Sequence, residues 1–120
     1  MNRRSIGSQR EEMAASFLKK NGVRILERNF RVNSGEIDII GKEGDIYVFF
    51  EVKYRKSAAA GFPVESVNGK KQLTICRVAD YYRMTHGLDD THSFRFDVIA
   101  ILGETITWYR NAFEYHRYYR

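Results

Sequence analysis

Cysteine and proline are almost absent from this chain, with one of each, Cys76 and Pro63, in 120 residues. A lone cysteine closes no internal disulfide and builds no cysteine-rich zinc site, so the fold has to rest on its apolar core. Cys76 itself reads as a small buried hydrophobe. Long apolar runs are missing as well. The longest, Ile46 to Phe50, is far short of the ~20 residues that cross a bilayer. The polar residues around Met1-Asn2-Arg3-Arg4 offer no hydrophobic signal segment, so the expectation is a cytoplasmic protein with no membrane contact. With no internal repeat and no Pro/Gly-rich linker, the length suits one domain over 1–120.

What is present is enough for a core. Hydrophobic residues make up 43% of the chain, and eight Phe, eight Tyr and one Trp supply bulk, which excludes intrinsic disorder. Twenty Lys and Arg against 15 Asp and Glu leave a formal charge of +5. Residues 1–60 hold 12 basic and 8 acidic side chains, and 61–120 hold 8 and 7. The acids of the first half are clustered, a pattern that suits a polyanionic partner with a cation between. Charge of this size also occurs simply for solubility.

Ser8-Gln9-Arg10-Glu11 carries the capping-box pattern and predicts a helix from there to Lys20, stopped by Asn21-Gly22. Glu11 shares a face with Ala14, Ala15 and Leu18, so it points toward the sheet, while Glu12, Ser16 and Lys19 face solvent. An irregular strand is expected over Val23 to Val32. A β-hairpin then follows from Glu36–Ile40 and Ile46–Lys53 about the favoured Gly44-Asp45 turn pair. Ser57 to Pro63 reads as a loose connection. Val67 to about Met84 predicts a second helix covering the sheet, with Leu73, Cys76, Ala79 and Tyr82 or Arg83 at helical spacing and His86-Gly87 at its end. Phe94 to Leu102 reads as a central strand buried on both faces, and Thr105 to Tyr109 as an edge strand. The segment 109–120, aromatic and basic, has no clear periodicity.

Alternation along the third strand sets Ile46, Val48, Phe50 and Val52 on one face and Tyr47, Phe49, Glu51 and Lys53 on the other. If the hairpin turns at Gly44-Asp45, Asp38 lies opposite Glu51, and Asp38, Glu51 and Lys53 form one cluster. A slip of one residue would break it. Converging carboxylates repel unless a proton or cation lies between them. Mg²⁺ or Mn²⁺ fits, since such ions take carboxylate oxygens and complete their shell with water and phosphate. Glu11 is the candidate third carboxylate. Asp38, Glu51 and Glu11 are thus the expected metal ligands. Lys53 joins them as a catalytic residue, stabilising charge on a scissile phosphate or positioning water. The competing account is a salt-bridged strand end, Lys53 neutralising Glu51, with Glu11 serving only the cap from Ser8. Asp97 reads as structural, paired with Arg95 or with a neighbouring strand.

Gly35-Glu36-Ile37-Asp38-Ile39-Ile40 followed by Val48-Phe49-Phe50-Glu51-Val52-Lys53-Tyr54-Arg55 resembles the GEID…FVEVKxR signature of the YraN-like family of bacterial proteins. The likeness extends to Gly7, Glu11, Ala14 and Leu18 on one side. On the other it reaches Val67, Lys70, Ala79, Arg95-Phe96-Asp97-Val98 and Asn111-Ala112-Phe113. Arg10 departs from the family's usual Gly, and Phe49 from Val, without touching a proposed ligand. The family is similar to the PD-(D/E)XK nuclease superfamily, including archaeal Holliday-junction resolvases. By that resemblance Asp38 takes the Asp position, Glu51 and Lys53 the E-x-K positions and Glu11 the helical Glu. The resemblance implies a restriction-endonuclease-like α/β domain, a mixed sheet flanked by helices.

Arg55, Lys56, Lys70 and Lys71 are the candidate nucleic-acid contacts, able to grip phosphates beside the cleaved bond, though a plain solvated basic face would look the same. In the C-terminal segment, Arg110, Tyr115, His116, Arg117, Tyr118, Tyr119 and Arg120 suit stacking on unpaired bases, or packing on the core or a second subunit. The expected activity is metal-dependent hydrolysis of DNA, branched or single-stranded. The alternatives are a non-catalytic nucleic-acid-binding protein that keeps the fold, and an interaction subunit whose acids hold a structural ion. A resolvase that cuts two strands needs two sites, hence a homodimer.

Overall fold

In the computed structural model, which describes residues 3–116, helix α1 (Arg3–Lys20) leads into strands β1 (Val23–Val32), β2 (Gly35–Glu43) and β3 (Ile46–Arg55). Two short 3-10 turns, Ala58–Ala60 and Pro63–Ser66, lead to helix α2 (Gly69–Thr85). Strands β4 (Ser93–Leu102) and β5 (Thr105–Phe113) complete the order. The five strands form one sheet in sequence order. All neighbours are antiparallel except β3 and β4, which run parallel and are joined through α2. This is the mixed, restriction-endonuclease-like α/β arrangement that the motifs imply.

The two helices cover opposite faces. Ala14, Ala15 and Leu18 of α1 pack with Ile39, Val48, Phe50, Ile99 and Ile101. On the other side Ile75, Cys76, Val78, Ala79 and Tyr82 of α2 meet Ile37, Ile40, Phe49, Phe96 and Val98. Strand β4 is buried on both faces, as its apolar run predicts. Cys76 is fully buried, with burial pushing its thiol above the ordinary range.

Three boundaries differ by three residues or more from those expected. Helix α1 starts at Arg3, so Ser8 lies inside it and caps nothing. A capping box needs its serine in non-helical backbone, and the residues before Ser8 continue the helix instead. Strand β2 runs on through Gly41-Lys42-Glu43, leaving Gly44-Asp45 as a true two-residue turn. Strand β5 extends to Phe113, and the chain then turns along α2. There the Tyr115 hydroxyl donates to Asp80 Oδ2 (2.7 Å) and the His116 ring pairs with Gln72 (2.7 Å). These two tail residues therefore pack on α2. The readings for Arg117, Tyr118, Tyr119 and Arg120 lie outside the described residues. Among the described residues no helix is long and apolar enough to cross a membrane.

Regular alternation fails at one place, and it is the place that builds the site. In β2, Ile37 and Ile40 pack toward α2 while Ile39 packs toward α1, although residues 37 and 39 of an unbroken strand share a face. The neighbouring strand does the same. Arg28 reaches Glu12 of α1 (3.0 Å), and Phe30, two residues on, meets Tyr82 of α2. Between them sits Asn29 with φ 54°, flanked by the pairs Arg28↔Ile39 and Phe30↔Ile37 and so facing Asp38. Asparagine tolerates the left-handed region better than other side chains that carry a Cβ. Both strands thus exchange faces at the Asn29/Asp38 step.

Candidate metal and phosphate site

The β2–β3 ladder runs from Glu43↔Ile46 to Ile39↔Phe50, the register expected from the Gly44-Asp45 turn. Beyond it the strands part, and Asp38 and Glu51 occupy the opening. The Val52 N–H, which a continuing ladder would give to the β2 backbone, donates instead to Asp38 Oδ2 at 2.8 Å. That bond holds the Asp38 carboxylate in the gap between the two faces of the sheet.

Glu51 is only 4% exposed. Its Oε2 receives two ammonium groups, Lys53 Nζ at 3.0 Å and Lys71 Nζ at 3.3 Å. The first comes from the same strand face, the second from the opening turn of α2. There Asn68 Oδ1 caps the helix by accepting from the Lys71 N–H at 3.1 Å. The helix is held close to the sheet by Gly35 of the Gly-Glu-Ile-Asp segment, where a Cβ would lie 2.6 Å from Thr74 Cγ2. A buried carboxylate needs such pairing, because losing water costs more than one exposed partner returns.

Among the described residues Asp38 has no cationic partner of that kind. Burial, then repulsion from Glu51, pushes its carboxyl up from 3.8 to about 7; the Val52 bond opposes this, and Glu11 and Glu36 add to the rise. Glu11 therefore faces the site from α1, as the inward face of that helix predicts, and it is half-buried. Asp38, Glu51, Lys53 and Glu11 are brought into one neighbourhood. They are not drawn tight. Among the described residues no three His, Cys, Asp or Glu side chains are gathered closely enough to hold a metal ion.

The donor set still fits a hard divalent cation in kind. It is all carboxylate oxygen, with no sulfur or imidazole, which suits Mg²⁺ or Mn²⁺ and not a structural zinc. A carboxyl driven up by burial and by its negative neighbours is also a position where added positive charge is favourable.

The expected phosphate contacts divide. Lys56 and Lys70 are exposed. Arg55 is half-buried on the face of β3 that carries Glu51 and Lys53, and its buried Nε has no hydrogen-bond partner among the described residues. Lys71, expected to face solvent phosphate, is turned onto Glu51 instead. Sequence reasoning missed this, as it missed Asn29. The one signal for Asn29 was a residue of low strand propensity inside a strand.

Asp97 has the structural role expected of it and is wholly buried. It accepts from Arg95 (2.9 and 2.8 Å), Trp108 Nε1 (2.8 Å) and the Asn111 N–H (2.8 Å). Arg95 continues to Glu43 (2.7 Å), which also binds Arg110 (2.9 Å).

A family model described as "Uncharacterised protein family UPF0102" matches residues 10–101, a span that includes every candidate site residue. A UPF0102 protein of Lachnoclostridium phytofermentans is 41% identical over 114 residues, covering 95% of this chain and 97% of its own length. Another, of Caldicellulosiruptor bescii, is 50% identical over 101 residues, 84% and 85% of the two chains. A third, of Moorella thermoacetica, is 48% identical over 101 residues, 84% and 83%. With the family model running from within α1 to the end of β4 and relatives matching over four fifths or more of both chains, the chain belongs to the UPF0102 family, the YraN-like family whose motifs it carries.

Proposed function

We propose that this protein is a divalent-metal-dependent endonuclease that hydrolyses phosphodiester bonds in DNA. The observation that carries the reading is the parting of β2 and β3 at Asp38 and Glu51. It sets a half-buried carboxyl that has no cationic partner among the described residues beside a buried carboxylate already paired with lysine.

Asp38 and Glu51, with Glu11, would hold the ion, which when bound polarises a phosphoryl oxygen and acidifies a water. The chain's own groups supply the rest. Lys53 Nζ is positioned by Glu51 and offers a fixed positive charge to a phosphate whose negative charge grows as the bond breaks. The orphaned Arg55 Nε, on the same strand face, gives a donor for a neighbouring phosphate oxygen. Exposed Lys56 and Lys70 add sequence-independent grip along the backbone. Cutting both strands of a branched substrate would require two such chains.

The double neutralisation of Glu51 by Lys53 and Lys71 favours one other reading, a nucleic-acid-binding protein that keeps the fold without turnover. The test compares wild type with Asp38→Ala, Glu51→Ala and Lys53→Ala on linear, single-stranded and four-way-junction DNA with Mg²⁺ or Mn²⁺. Cutting that all three substitutions abolish supports the nuclease. Binding without cutting selects the second reading, and cutting that survives the substitutions overturns the site.

A further inference from the structure

We propose that Asn29 is a positioning residue of this site, holding Glu11 and Glu36 beside Asp38 in the arrangement that receives a divalent cation. The inference rests on the metal-site reading above and extends it to a residue outside its motifs.

Three observations meet at Asn29. Its backbone is left-handed, with φ 54°. By register it faces Asp38 across the β1–β2 pair, at the step where both strands exchange faces. In the amide orientation that gives both of its side-chain atoms suitable partners, its nitrogen donates to Glu11 Oε1 at 3.0 Å and Glu36 Oε2 at 3.1 Å. Glu11 belongs to α1 and Glu36 to β2, so one amide ties a helix to a strand. Both carboxylates are among those that repel Asp38.

The residue type follows from these demands. Glycine tolerates the backbone but brings no donor. Aspartate also tolerates it, yet would add negative charge beside Glu11, Glu36 and Asp38. Asparagine meets the left-handed backbone and carries two uncharged N–H donors, one for each carboxylate. A neutral donor also leaves the carboxylates anionic and fixes their direction, the role that hydrogen-bonding partners play around metal ligands. Arg31 binds the other oxygen of Glu36, Oε1, at 3.2 Å, but from an exposed position. Asn29, itself exposed, holds the remaining oxygen, Oε2, on the side toward Glu11.

The test is Mn²⁺ binding to the intact protein, read by electron paramagnetic resonance, beside a thermal melt. Asn29→Gly keeps the left-handed backbone at no steric cost and removes only the amide. Expected is a loss of Mn²⁺ affinity of about tenfold or more, with the melt little changed. The same loss is expected in Glu11→Ala, which leaves the β1 backbone untouched, and adding Asn29→Gly to Glu11→Ala should take little further.

Wild-type affinity in Asn29→Gly, or a fully additive loss in the double variant, would overturn the positioning role alone, provided wild-type binding depends on Asp38 and Glu51. If wild type binds Mn²⁺ no better than Asp38→Ala, the metal-site reading falls and this inference with it. Should Asn29→Gly melt early, the Glu11→Ala comparison decides: unchanged affinity there refutes the proposal.

Discussion

Lys71 on α2 places its ammonium 3.3 Å from Oε2 of Glu51 on β3, joining a helix to the middle of the sheet through a buried carboxylate. Lys53 holds the same oxygen at 3.0 Å, so in the proposed nuclease neither lysine is redundant while the other also serves a phosphate. Lys71→Ala should therefore lower DNA cleavage by about tenfold to a hundredfold, on the order of 1.4–2.8 kcal/mol of barrier. Stability should fall by less than about 1 kcal/mol, since Lys71 is partly exposed. Single-turnover cleavage and a denaturant titration separate the two effects. Loss of the fold with cleavage intact per folded molecule would assign Lys71 to structure only.

Asp38 makes the protein's stability depend on pH in an unusual direction. Its carboxyl titrates near 7 when folded and near 3.8 when free, so the folded state retains the proton that the unfolded state loses. Its stabilising contribution is full below about 3.8 and is lost as pH rises toward 7, on the order of a few kcal/mol. Unfolding midpoints measured from pH 4 to 8 should fall with pH in wild type. In Asp38→Asn, which stays uncharged throughout, that slope should be greatly reduced. A profile identical in the two proteins would refute the assignment.

Asp97 should matter for folding and not for cutting. Asp97→Ala removes the acceptor for Arg95, Trp108 and Asn111 at once and leaves a half-buried guanidinium without its main partner. The expected loss is about 3–5 kcal/mol. Asp97→Asn, able to accept but uncharged, should lose less. Chemical denaturation measures both, and cleavage per folded molecule should stay near wild type.

Gly35 is required by close approach. A Cβ there would stand 2.6 Å from Thr74 Cγ2 and 3.4 Å from Val78 Cγ2, so Gly35→Ala should push α2 away and cost about 1–3 kcal/mol. Because α2 carries Lys71, cleavage should fall with stability. Adding Thr74→Ser, which deletes the offending methyl, should restore part of both. No recovery in the double variant would show that the contact is not the cause.

The sequence by itself determined the elements that rest on local pattern. Alternation and the Gly44-Asp45 turn pair specify the hairpin register, and period two puts Glu51 and Lys53 side by side. The spacing of Glu11 from Ala14, Ala15 and Leu18 turns it inward. These are short-range consequences of backbone geometry, so they survive without knowledge of the packing. The helix start at Ser8 failed because a capping pattern acts only where the backbone has already left the helix. Tertiary structure alone decided that Lys71 reaches Glu51, twenty residues away in the chain, and that Asn29 and Asp38 mark an exchange of faces. Such contacts depend on α1 and α2 packing on opposite sides of one sheet. That choice is made by the buried area of the whole molecule, and no local periodicity records it.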